Sequence, residues 1–396
     1  MARKKLVLKP EEIDVLRERA ARAIAPLTPP VKGHKYSWGD KRTRAGSGLP
    51  EYYLVYFLLV ELLGFPAGGR WEKVAWTIPV DYDGRAALIE HRKMGLGVFS
   101  AATPEDEVTS AAIVAAVRRG VGAARPFFDH LAAKAVSSSK LNVTNNCAWL
   151  FSRYTYLRDQ FRVKCTSVKD TSLYAIDEIV TTNPDGTTVT TFSAPRFSDM
   201  QEARWLGIAV IDAFFSWTEH VLIHVGILIG NVKTGEDVAR LAEGEWSEKV
   251  RAAIDLSSDA EAKRLYEDLL EVRRQIRNFM AHGAFGKQGE AFHFHSSAGA
   301  VPVNLTDARN RSRYSIFAVP SFDENSAIEL IEKFIAKVWD GDRGPAKLYL
   351  EDASLPVILT YANDGTYAAA MSSRDDMESF VEYLTHEMDN SANMDW

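Results

Sequence analysis

Cysteine is almost missing from this sequence: Cys147 and Cys165 are the pair in 396 residues. Two thiols exclude a disulfide framework and a four-cysteine zinc site within one chain, and they suit a reducing compartment. Positive charge is not in surplus either. The 47 Lys and Arg against 53 Asp and Glu leave a formal charge of −6, so a broadly basic, histone-like nucleic-acid binder is excluded and any polyanion site has to be a local patch. Proline numbers 15 and charged residues make up 25%, far from disordered or collagenous compositions. No internal repeat, low-complexity tract or Walker A sequence occurs, which argues against an ATP-driven engine. Met94-Gly95-Leu96-Gly97 lacks the third glycine of a dinucleotide fingerprint. The opening Met-Ala-Arg-Lys-Lys is charged but is not followed by the apolar stretch of a signal peptide, and the expected location is cytoplasmic. The one run apolar enough to suggest a membrane span, 206–230, carries Asp212, Glu219, His220 and His224 and reads as a long buried helix.

What is present is a globular composition, 46% hydrophobic, with length for about two to four domains. The expected fold class is α+β, predominantly α, in three regions. Residues 1–195 read as a mixed α/β region, a candidate sensor or regulatory domain. It holds helices near 10–25, 52–63, 105–134 and 145–163, and a hairpin of 74–81 and 85–92 around Asp83-Gly84 in a type I′ turn. Strands 172–182 and 186–192 follow around Asp185-Gly186. Residues 198–341 read as a four-helix bundle. Ser198 and Gln201 are spaced as a capping box for a helix running to Gly230, a weaker helix covers 236–254, and Ser258 with Glu261 forms a second box. From there Ala262, Leu265, Leu269, Val272, Ile276 and Phe279 recur at alternating steps of three and four, a packed seam that Gly283 stops. Strand-like alternation at 291–295 and 314–319 precedes a last helix near 324–340. Residues 345–396 read as a small ββα-type segment, with strands at 347–351, 356–362 and 366–371 and a helix at 374–388.

The residues that can carry chemistry stand at the end of the third bundle helix: Arg277-Asn278-Phe279-Met280-Ala281-His282, preceded by Arg273 and Arg274. An imidazole with an ordinary pKa of about 6.5 exchanges a proton at physiological pH, whereas a guanidinium stays cationic and can hold a phosphate through two parallel hydrogen bonds. Such a pair can cleave RNA without a metal. The histidine deprotonates the 2′-hydroxyl or protonates the leaving 5′-oxygen, the guanidinium offsets charge on the pentacoordinate phosphorus, and a 2′,3′-cyclic phosphate results. On an ideal helix Arg277 and His282 lie about 140° apart, while Asn278 and His282 share a face. Convergence therefore needs either a helix end that unwinds before Gly283 or a second chain about a two-fold axis.

This arginine, polar residue and histidine at the end of a bundle helix resemble the motif of the HEPN superfamily of RNA-cleaving and nucleotide-binding helical domains, over residues 198–340. The resemblance implies an HEPN-like bundle in which Arg277, Asn278 and His282 are catalytic, no cofactor is used, and two chains pair as a homodimer. It further implies a metal-independent endoribonuclease with RNA as its partner, of the kind that serves prokaryotic anti-phage defence or toxin-type growth arrest. Residues 1–195 would then receive a phage-derived or small-molecule trigger. Arg273 and Arg274 are candidate RNA-backbone contacts, and Glu219 is a candidate support that pairs with an arginine of the third helix. The strand-like insert, 285–320, is longer than a compact domain of this family needs.

Two other readings stay open. The same cationic pocket could hold RNA or a nucleotide without cutting it. The other is a metal-dependent hydrolase: His220 and His224, four apart, share a helix face as metal-ligand pairs do, and His293 and His295 share a face on a strand. Against it, no Asp or Cys stands at zinc-site spacing, and Glu-His-x3-His is not the zincin order. In the N-terminal region Lys32, His34, Lys35, Lys41, Arg42 and Arg44 interleave with Tyr36 and Trp38, an exposed basic loop or a phosphate-tracking segment.

Overall fold

The computed structural model describes residues 7–33, 36, 41–169, 177–193, 195–282, 293–294, 303–304 and 323–395. These are mostly helical with small sheets, the α+β, predominantly α class. The chain divides into two compact units: Met1–Leu141 with Thr234–Glu236 and Phe380–Trp396, and Asn142–Lys233 with Asp237–Ser379.

In the first unit, α1 (Pro10–Ile24), β1 (Leu27–Thr28), β2 (Lys41–Arg42) and α2 (Tyr52–Tyr56), continued by a π-helical stretch Phe57–Leu62, come first. A meander of β3 (Val74–Tyr82), β4 (Arg85–Arg92) and β5 (Gly95–Ser100) follows, then α3 (Pro104–Ala123) and α4 (Arg125–Ser137). The strands are antiparallel in the order β1-β3-β4-β5-β2. Asp83 and Gly84 both have positive φ, 51° and 78°, as a type I′ turn demands, and Asp81 Oδ1 accepts the Gly84 N–H at 2.9 Å. Strand alternation puts Ile78, Val80, Ile89 and Val98 into one core with Leu16, Ile24, Leu58, Leu62, Ile113 and Val117.

Gly120 closes that core. A Cβ there would stand 2.4 Å from Ile24 Cγ2 and 2.8 Å from Leu58 Cδ2, whereas one at Gly122 on the same helix would meet nothing within 4 Å. Gly122→Ala is expected to raise stability by roughly 1 kcal/mol through helix propensity, and Gly120→Val to lower it by about 2 kcal/mol through overpacking. Urea denaturation of the two variants checks this, and shifts of the same sign would contradict the packing.

The second unit opens with β6 (Asn142–Val143), α5 (Cys147–Lys169), the hairpin of β7 (Asp177–Thr182) and β8 (Thr188–Ser193), and α6 (Pro195–Leu228). Next come α7 (Gly235–Glu243), α8 (Trp246–Ala253), α9 (Ala260–His282), the strand pair β9 (His293–Phe294) and β10 (Val303–Asn304), and α10 (Glu324–Val338). The order ends with α11 (Gly344–Lys347), a π-helical stretch Leu348–Asp352, β11 (Val357–Ile358), α12 (Leu359–Asn363), α13 (Thr366–Ala370) and α14 (Arg374–Asn393), whose residues from Phe380 onward belong to the first unit. β11 pairs with β6, Val357 opposite Val143. α6 is long and apolar enough to cross a membrane, yet Val210, Ile211, Phe214, Trp217, Leu222 and Val225 are buried against the rest of the unit. α5, α8 and α10 pack on it, and α9 packs on α10.

Several boundaries differ from the sequence expectation. α5 is the helix packed most extensively along α6 among the described residues, so the boundary expected near 195 falls inside the second unit. Ser198 is not an N-cap, because α6 starts three residues earlier at Pro195, whose fixed φ suits a first turn. Asp259 rather than Ser258 caps α9, accepting the Ala262 N–H at 2.9 Å. Gly244 separates α7 from α8, where one helix was expected. The ββα-type ending is mostly helical: 347–351 and 366–371 are helical turns that bury Tyr349, Leu350 and Tyr367. Short apolar runs fit a buried turn as well as a strand. Asp364 accepts from both the N–H and the hydroxyl of Thr366, which directs the chain into α13 instead of a hairpin. The alternation expected at 314–319 and most of the insert lie outside the described residues.

Candidate functional site

α9 is held by its seam. Ala262, Leu265, Leu269, Val272 and Ile276 are buried, and α10 answers with Ile328, Ile331, Phe334 and Val338. Lys337 of α10 pairs with Asp259 at 2.9 Å and so fixes the start of α9. The helical trace continues unbroken to His282, so the unwound end considered from the sequence is not formed. Arg277 is exposed one turn before that end and has no carboxylate partner among the described residues. The side chains of Asn278, Phe279 and His282 lie outside the described residues, as do those of His293 and His295.

The neighbouring arginines are engaged. Glu219, on α6, accepts from Arg273 Nη2 at 2.6 Å through Oε1 and from Lys249 of α8 through Oε2. Arg273 also lies over the rings of Phe215 and Trp246, at 5.4 and 5.7 Å, and the Trp246 indole donates to Thr218 Oγ1 at 3.0 Å. One carboxylate thus joins α6, α8 and α9. The pairing of Glu219 with a third-helix arginine is present, and it holds Arg273 between that carboxylate and the rings of Phe215 and Trp246. Arg274 makes two hydrogen bonds to Glu271 on its own helix, at 3.0 and 2.7 Å, an exposed pair of the weak surface kind that a phosphate can displace.

A second constellation joins residues that the sequence holds far apart. The ligand atoms of Cys147, His220 and His224 lie within 4.8 Å of one another. Cys147 is the first residue of α5, and the two histidines are one turn apart on α6, their rings 4.2 Å between centroids. Sequence spacing offered no cysteine partner to the histidines; the packing of α5 on α6 supplies one. The segment before α5 is stitched in place around them. Asn146 donates its N–H to His220 Nε2 at 2.9 Å, Asn145 Oδ1 accepts from the Cys147 N–H at 2.9 Å, and Asn145 Nδ2 donates to the carbonyls of Leu350 and Leu355.

His224 is unusual. Its Nδ1 is 2.9 Å from the His220 carbonyl oxygen and its Nε2 is 3.1 Å from the Thr144 carbonyl oxygen. A neutral imidazole carries one N–H, so it can satisfy one of two acceptors. Burial lowers the pKa of His224 and brings that of His220 down to about 4, helped by the neighbouring ring, which keeps both neutral near pH 7. Burial also pushes the Cys147 thiol up, and the nearby Glu351 carboxyl adds to it. Glu351 itself is raised to about 7 by burial, and its Oε1 reaches no hydrogen-bond partner.

In the basic stretch near the N-terminus, Arg42 donates to the carbonyls of Met94 and Leu96, tying β2 to the turn before β5 and to β5 itself. His34, Lys35 and Trp38 lie outside the described residues. Comparison with protein-family models, with curated proteins and with solved structures finds no match for this chain.

Because Lys249 is buried, with 4% of its surface exposed, removing its anion leaves a charge without compensation. Glu219→Gln is expected to destabilise the protein by about 3 kcal/mol. Guanidinium denaturation measures this, and a loss below about 0.5 kcal/mol, the size of an ordinary surface change, would show that the carboxylate does not tie the three helices together.

Proposed function

We propose that this protein is a metal-independent endoribonuclease of HEPN type, acting as a homodimer in prokaryotic anti-phage defence or growth arrest. The observation that carries the reading is the difference between the three arginines near the C-terminal end of α9. Arg273 is bound by Glu219, Arg274 by Glu271, and Arg277 is exposed with no carboxylate partner among the described residues, one turn before His282. An exposed guanidinium near a helix end, with no carboxylate partner among the described residues, suits an oligoanion that arrives from outside.

In this mechanism Arg277 holds the scissile phosphate and offsets the charge that builds on phosphorus. His282 removes the 2′-hydroxyl proton or delivers a proton to the leaving 5′-oxygen, and Asn278, on the same helix face as His282, orients the reacting groups. The unbroken trace of α9 supports the dimer, because the positions of Arg277 and His282 diverge by about 140° around the helix and one chain brings them together poorly. Anti-phage defence rests on the resemblance of the motif. A hydrolytic metal centre at the histidine pair is disfavoured by burial: Cys147 and His224 are 0% and 2% exposed, whereas hydrolysis needs a coordination position open to substrate.

With RNA and a chelator present, the wild-type protein is expected to release fragments ending in 2′,3′-cyclic phosphate. His282→Ala and Arg277→Ala are each expected to lower the rate by about 100-fold or more while the thermal melt stays unchanged. Mass spectrometry of the RNA ends reads the outcome. Full cleavage by His282→Ala would falsify the assignment, and RNA binding without cleavage by the wild type would favour a non-catalytic module.

A further inference from the structure

We propose that Cys147, His220 and His224 bind one zinc ion that staples the start of α5 to α6. The three side chains come from two helices of one unit, and their ligand atoms already lie within 4.8 Å of one another. A thiolate and two imidazoles are the donor set of a borderline-soft dication of tetrahedral preference.

Three features of the site point toward a cation. First, His224 faces two carbonyl oxygens with one proton to give. Its Nδ1–H directed at the His220 carbonyl is the outer hydrogen bond that orients a ligating histidine and leaves a lone pair on Nε2. Second, His220 carries a lone pair on Nε2, as its acceptance of the Asn146 N–H shows. That amide is exposed and can turn to water when the ion takes its place. Third, the surroundings hold two acids, a thiol and a carboxyl, whose anions a dication needs. Cys147 is fully buried, and the Glu351 carboxyl that acts on it has a buried oxygen with no hydrogen-bond partner. Thiolate and carboxylate together offset two positive charges. On binding, the Cys147 Sγ–H bond breaks, the sulfur lone pair forms the bond to zinc, and the proton leaves to solvent or to Glu351.

Burial gives the ion a structural task. No substrate reaches Cys147, whose surface is 0% exposed, so the staple holds α5 against α6 and leaves RNA chemistry to α9. The proposal is independent of the ribonuclease reading, since the two use different residues and different measurements.

Metal analysis and cobalt substitution of the full-length protein test it. Wild type purified with zinc is expected to retain one ion per chain, and the metal-free protein titrated with cobalt(II) to develop a thiolate-to-cobalt charge-transfer band with tetrahedral visible absorption at one equivalent. Cys147→Ala, a small change at a buried site, is expected to lose the charge-transfer band and to lower zinc affinity by at least about 100-fold. His224→Gln is expected to weaken zinc binding to a similar extent, and added zinc is expected to raise the melting temperature of wild type but not of these variants. The wild-type cobalt spectrum decides the matter should a variant fail to fold. A folded wild type that takes up neither metal, or binding that Cys147→Ala leaves unchanged, would overturn the proposal.

Discussion

A helix of 34 residues that is apolar around most of its circumference has to be covered on nearly every side, and the second unit is arranged by that requirement. α5, α8 and α10 lie against α6, and α9 is carried on α10. Phe214, Trp217 and Leu222 are fully buried as a result, each contributing about 1.5–3 kcal/mol relative to exposure in water. The aromatic contacts follow from the same crowding: Phe215 meets Trp246 at 5.3 Å, Trp217 meets Phe151 at 5.2 Å, and Phe214 meets Phe334 edge-on at 6.0 Å.

Covering α6 also encloses polar side chains along it, and several are met by groups from other elements. Thr218 receives the Trp246 indole, Glu219 receives Lys249 and Arg273, and His220 receives the Asn146 amide. His224 is met imperfectly, by two acceptors for a single proton, and the buried Trp217 Nε1 finds no hydrogen-bond partner among the described residues. The candidate sites are by-products of this enclosure. Arg273 is consumed in holding α9 to α6, whereas Arg277, one turn further on, is exposed. The first residue of α5 is pressed onto the histidine pair, which creates a donor set that neither helix has alone.

Local signals were legible in the sequence because they depend on a few neighbouring residues. The Asp83-Gly84 turn, the seam from Ala262 to Ile276 and the burial of the 206–230 run all rest on chemistry within one element. What was illegible depends on residues remote in the chain. Nothing in the spacing of Cys147 and His220 announces that residues 73 positions apart close into one site, since α5 reaches α6 only through packing. Arg273 and Arg274 read alike as RNA-backbone contacts; aromatic rings and a carboxylate from other helices set their surroundings apart. Short apolar stretches near the C-terminus have no period long enough to distinguish a strand from a helical turn, and there Tyr349 and Tyr367 decide by where their hydroxyls find partners.

In the proposed ribonuclease, an arginine and a histidine from the ends of two α9 helices act on one phosphate. Mixed dimers measure this most directly. In a dimer of one Arg277→Ala chain and one His282→Ala chain, a composite centre keeps its arginine from one protomer and its histidine from the partner, so RNA cleavage should recover to roughly half that of wild type. Activity no higher than that of either variant alone would contradict the account.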